Sequence, residues 1–134
     1  MLSMPCAAFS GNEPEGLKLY REKMAYWMKR GESAFQCKNR FELAMFLFDS
    51  TVEEGADPSE ELADFIENKT LKNTECVRSS LMVLPKDKMD AVIKHYYEEP
   101  LMHDRALFKN LIDSLRANSS VKRDAAPVAP STLH

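Results

Sequence analysis

Glycine is scarce in this chain: four occur in 134 residues, at positions 11, 16, 31 and 55. Tight hairpins draw on more, and the apolar residues recur at steps of three and four rather than alternating, so an all-α fold is expected. Cysteine is sparse as well. Cys6, Cys37 and Cys76 lie far apart without a C-x-x-C pair, which speaks for free thiols in a reducing compartment and against a disulfide framework. No apolar run is long enough for a membrane span, and the start, MLSMPCAAFSGNEP, lacks the charged and apolar regions of a signal peptide. Cytosol or nucleus is the expected location. The sequons Asn68-Lys69-Thr70 and Asn118-Ser119-Ser120 then read as chance matches, because glycosylation needs the secretory route.

Catalytic and cofactor signatures are missing too. There is no G-x-S-x-G, no P-loop, no dinucleotide-binding glycine motif and no Cys/His nucleophile pattern. Cys76, His95 and His103 have no metal-ligand spacing. Carboxylates are plentiful, but abundance alone makes no acid–base pair. An enzyme, a cofactor, a metal site and a small-molecule substrate are not expected.

What is present is enough apolar material, 44% of residues, for one core and one domain. The formal charge of -3 hides a segmental pattern. Residues 16–40 hold seven Lys/Arg against two Glu, residues 53–67 hold seven acids and no base, and residues 71–134 hold ten bases against eight acids. Residues 1–14 and 124–134, the latter Ala/Pro-rich, read as disordered flanks around a single helical domain at 15–123.

Along that domain the spacing predicts about five helices. The first spans Glu15 to Arg30, with Leu17, Tyr20, Met24, Trp27 and Met28 inward and Gly31 ending it. In FELAMFLF (41–48) a run apolar nearly all round marks the central buried helix. Asp57-Pro58-Ser59-Glu60 reads as an N-cap, first position and capping Glu of a helix to about Asn68. Its acids, Glu67 included, are expected on the outside. Thr70 to Ser80 reads as a polar connector with Arg78, Ser79 and Ser80 on offer. Pro85 opens a helix with Met89, Val92, Ile93 and Tyr96 inward, and Pro100 stops it. A last helix from about Asp104 turns Leu107, Phe108, Leu111, Ile112 and Leu115 inward and ends in SSVKR.

The pair LPKDKMDAVIKHYY and LFKNLIDSLRANSSVKR, preceded by FELAMFLFDSTVEEGADPSEELADF, resembles a BEN domain over about residues 38–123. The BEN pattern of a Leu-Pro/Asp-x-x-Lys start, an apolar I-x-x-Y step and a final helix is matched. The usual Asn-x-x-Cys-Arg ending is replaced by Ala117-Asn118-Ser119-Ser120. The resemblance implies a nuclear module of a transcription or chromatin regulator that binds duplex DNA with its last helix in the major groove. Arg116, Asn118 and Ser119 would then meet base edges, with Lys122, Arg123, Lys109, Arg105, Arg78, Lys86 and Lys88 on phosphates. A homodimer would add contacts.

The rival expectation is a helical protein-interaction module without nucleic-acid binding, using a groove of Met and aromatic residues such as Met24, Trp27 and Met28. The two readings separate on the surface. DNA binding requires a contiguous positive face from 78–88 and 105–123, whereas an interaction module requires an exposed apolar patch and no such face.

Overall fold

The computed structural model describes residues 14–54 and 59–125, and the side chains at 54 and 119–125 are not described. All regular structure among these residues is helical. The helices are α1 (Glu15–Ala34), α2 (Arg40–Glu54), α3 (Glu60–Lys72), α4 (Thr74–Leu81), α5 (Lys86–Val92) and α6 (Lys109–Ala125). A π-helical turn, Ile93–Tyr97, prolongs α5, and a 3-10 turn, Arg105–Phe108, leads into α6. The all-α expectation is met. The flanks expected at 1–14 and 124–134 fall mostly outside the described residues, although α6 runs past 123 to Ala125.

Helix α2 is the centre, as the apolar run predicts. Asn39 caps it, its Oδ1 accepting from the amides of Phe41 (2.8 Å) and Glu42 (3.4 Å). Leu43, Ala44, Phe46 and Leu47 are fully buried, and α1, α4 and α5 all pack on this helix. The π-turn supplies the polar fastenings of the core. It closes through Glu98 N donating to Ile93 O at 2.8 Å, and the widened turn carries two consecutive tyrosines inward. Ser50 Oγ donates to Leu47 O, so the Tyr96 hydroxyl, 2.6 Å away, donates to Ser50. Thr70 Oγ1 likewise donates to Ile66 O and receives the Tyr97 hydroxyl at 2.7 Å.

Several local expectations need correction. Helix α1 does not stop at Gly31 but continues to Ala34. Gly31 is buried because a Cβ there would lie 2.5 Å from Phe65 Cε2 and 2.8 Å from Phe46 Cζ. Leu17 and Tyr20, expected inward, are exposed, and α1 is buried only from Met24 onward. Ser59, not Asp57, caps α3, its Oγ accepting from Leu62 N at 3.1 Å; Asp57 and Pro58 lie outside the described residues. The polar connector is the helix α4, with Val77, Ser80 and Leu81 turned inward. Its period was hidden because one of its buried positions is a serine. Leu107, expected inward, is exposed on the 3-10 turn.

Two further corrections concern chemistry. Glu67 is not on the outer face of α3 but fully buried. Its carboxylate accepts from Leu101 N (2.8 Å) and Met102 N (3.0 Å) and pairs with His103 Nδ1 at 3.0 Å. These partners fasten the 98–104 loop and make a buried carboxylate tolerable. Cys37 and Cys76 are not free thiols: they form a disulfide with Cα atoms 6.1 Å apart. The bond ties the α1–α2 corner, where Cys37 adopts a left-handed φ of 62°, to the first turn of α4. Thiols 39 residues apart in sequence give no signal that they meet.

Two measurements check this packing. In Gly31→Ala the gain in helix propensity, about 1 kcal/mol, is outweighed by overpacking against two rings, for a net loss of about 1–2 kcal/mol in urea denaturation. Replacing Cys37 and Cys76 by serine should cost about 4 kcal/mol in the same assay, from the loop entropy of a ~40-residue closure.

Candidate interaction surfaces

The residues expected to meet DNA fall into four groups. Lys86, Arg105, Lys109 and Arg116 come together around two adjoining clefts on the α5–α6 side, one lined by Glu98, the 3-10 turn and α6, the other by α5, its π-turn and α6. The clefts, of about 430 and 660 Å³, share Glu98 and Arg116 in their walls. Arg78 and Lys88 line neither cleft. Asn118, on α6, turns its amide to Ser114 Oγ at 3.5 Å. Ser119, Lys122 and Arg123 continue α6, and their side chains are not described.

The clefts also bring carboxylates to these cations. Lys86 pairs with Asp90 at 2.8 Å, Lys109 with Asp113 at 2.7 Å and Arg116 with Glu98 at 3.2 Å. Arg78 is paired with Glu75 one turn away. That contact, a hydrogen bond first and a charge attraction second, holds the Glu75 carboxyl below the usual carboxylate range and raises the Arg78 guanidinium. Three of the cations expected on phosphates, Lys86, Lys109 and Arg78, and Arg116, expected on base edges, thus have a carboxylate in hydrogen-bond range. Each surface pair is weak, but together they interrupt the positive face with negative charge. Lys88 instead stands over the Phe48 ring, 5.0 Å from its centroid.

The largest departure from expectation lies on α2. Phe41 and Met45, expected in the core, are 57% and 45% exposed, and Val52 is 66% exposed. With half-buried Phe48 they fall at steps of four, three and four, one stripe along the outer side of the helix. Exposed Tyr26 of α1 adjoins it. An open cleft of about 670 Å³ runs between α1 and α2, lined by Lys23, Tyr26, Trp27, Phe48, Asp49, Val52 and Glu53. Its rim is pinned by Lys23–Glu53 (2.9 Å) and Arg30–Asp49 (2.6 Å). The groove expected from Met24, Trp27 and Met28 is corrected here: Met24 and Trp27 are core residues, and the apolar surface beside them belongs to Tyr26 and α2.

This stripe had a signal in the sequence. FELAMFLFDSTV carries two helical stripes, 43-46-47-50 and 41-45-48-52, and one helix with three neighbours cannot bury both. Among the described residues, no group of three His, Cys, Asp or Glu side chains is placed to hold a metal. No described helix is long and apolar enough to cross a membrane. The sequon at Asn68 is locked into α3, where the amide donates to Asp64 Oδ1 at 2.9 Å and Thr70 is buried.

The ion pairs around the α5–α6 clefts yield a prediction. A triple variant, Asp90→Asn, Glu98→Gln and Asp113→Asn, releases Lys86, Arg116 and Lys109. It should bind a randomised DNA duplex about tenfold or more tighter than the native chain at ~50 mM salt. Fluorescence anisotropy checks this, and equal binding by both proteins would show that the acids do not restrain the cations.

No protein-family model, curated protein or solved structure matches the chain, so the two surfaces are interpreted from their own geometry.

Proposed function

We propose that this chain is a helical protein-interaction module that docks a partner on the outer face of α2. The observation that carries the reading is the stripe of exposed Phe41, Met45 and Val52 with half-buried Phe48, on a helix whose opposite side is fully buried. Leaving large apolar residues in water lowers solubility, and a contiguous set beside a cleft is the usual mark of a protein contact. The rigid support is equally relevant, since α2 is held by α1, α4 and α5 and presents its outer side chains without rearrangement.

Duplex DNA recognition by the BEN-like final helices is the second reading. It is favoured by the convergence of Lys86, Arg105, Lys109 and Arg116 around adjoining clefts. It requires Asp90, Asp113 and Glu98 to give up cations they hold. The location follows the cysteines: a Cys37–Cys76 bond persists in oxidising compartments, which supports such a compartment over the nucleus expected from the sequence.

The test uses a photoreactive benzoylphenylalanine at position 45 in the chain expressed in its source cells, with position 109 as the control. The expected result is a discrete protein adduct from position 45, absent from position 109 and lost when Val52→Glu is added. Adducts at both positions, or at neither, contradict the reading. Steeply salt-dependent binding of the native chain to duplex DNA would favour the alternative.

A further inference from the structure

We propose that the outer face of α2 receives an acidic amphipathic helix, whose apolar side chains lie on Phe41, Met45, Phe48 and Val52 and whose carboxylates meet Arg40 and Lys88. The inference rests on the interaction reading above and names the chemistry of the partner. The four apolar positions span three helical turns, about 16 Å, the footprint of a helix laid along a groove. The cleft between α1 and α2 adds a recess beside Val52 for one large side chain.

The charge of the partner follows from which ions around the stripe are already matched. Toward its C-terminal end two described acids are neutralised, Asp49 by Arg30 and Glu53 by Lys23. Glu42 is turned to Ser33, whose hydroxyl donates to it at 2.7 Å. The cations beside the stripe are different. The Arg40 guanidinium lies 5.7 Å from the centroid of the Phe41 ring and the Lys88 ammonium 5.0 Å from that of Phe48. Among the described residues neither has a carboxylate partner. Asp87, next to Lys88 in sequence, lines the α5–α6 cleft with Asp90 and Lys94. Two cations resting on the rings of the docking stripe are therefore left for an external anion. A carboxylate arriving on an apolar helix would meet them where water is being expelled, which strengthens the attraction and sets its sign.

The probe is a fluorescein-labelled helical peptide of about sixteen residues, with Leu at i, i+4, i+7 and i+11 and Glu at the flanking positions. A matched peptide carries Lys in place of Glu. Anisotropy against the disulfide-intact full chain at ~50 mM salt should show the Glu peptide binding about tenfold or more tighter than the Lys peptide, with the gap closing as salt is raised. Arg40→Glu/Lys88→Glu should invert the preference, Met45→Glu should remove binding of both, and Leu107→Glu should change nothing. Circular dichroism confirms that each variant is folded.

Equal binding, or a preference of the native chain for the Lys peptide, overturns the acidic partner while the docking face stands. Failure of both peptides also overturns the proposal. The position-45 cross-link then decides whether the face itself survives. Phosphatidylserine vesicles serve as a third arm: co-sedimentation of the chain with them, in the absence of peptide binding, would assign the face to a lipid surface and overturn the proposal.

Discussion

Two adjacent tyrosine hydroxyls buried in the core fix the arrangement on which everything else depends. The π-turn after α5 directs Tyr96 to Ser50 on α2 and Tyr97 to Thr70 on α3, so one short segment sets three helices against each other. In these two bonds the tyrosine hydroxyls are the donors, because Ser50 and Thr70 give their own protons to backbone carbonyls. Burial pushes the Tyr97 hydroxyl well above its ordinary range; the Thr70 hydrogen bond opposes that shift and the charge of Glu67 reinforces it. A raised phenol keeps its stabilising contribution below the ordinary tyrosine value of about 10 and loses it as pH climbs beyond. At neutral pH both fastenings hold, and α2 is fixed with one side sealed and the other in water.

Glu67 extends the same polar core to the surface. A carboxylate inside an apolar bundle costs several kcal/mol unless it is paired and hydrogen-bonded. Here two backbone amides and an imidazole supply the partners. Its consequence is a defined 98–104 loop leading into α6, and so a fixed place for the α5–α6 clefts. On the opposite corner the Cys37–Cys76 bond secures the approach to α2. Helix α2 is thus tethered at its start by a covalent link and along its inner side by apolar packing and the Ser50–Tyr96 bond.

The fold class was legible from residue spacing, as was the central place of α2, because FELAMFLF is too apolar to lie anywhere else. The final helices were legible from the punctuation of Pro85 and Pro100. What was hidden depends on contacts distant in sequence. Gly31 looked like a helix stop, but its lack of a Cβ serves Phe46 and Phe65. Glu67 looked like one more solvated acid, and only the returning 101–103 segment shows why it is buried. The disulfide could not be read from cysteine spacing. Of the candidate sites, the sequence offers Lys86, Arg105, Lys109 and Arg116 as separate surface cations; their convergence, and the pairing of Arg116 with Glu98 across the loop, depend on the fold. Phe41, Met45 and Phe48 read as core residues because composition tells how much of a helix is apolar, not how many neighbours it has.

Electrostatics then divides the two surfaces. Around the α5–α6 clefts most of the described cations face an acid of their own chain. Beside the outer stripe of α2, Arg40 and Lys88 face only aromatic rings. The central claim is that this stripe is covered when the protein is at work. Hydroxyl-radical footprinting read by mass spectrometry tests it directly, by comparing methionine oxidation in the purified chain with that in its native surroundings. Met45 should oxidise readily when purified and be protected in the native setting, while exposed Met102 reacts in both and buried Met89 in neither. Equal reactivity of Met45 in the two settings would contradict the account.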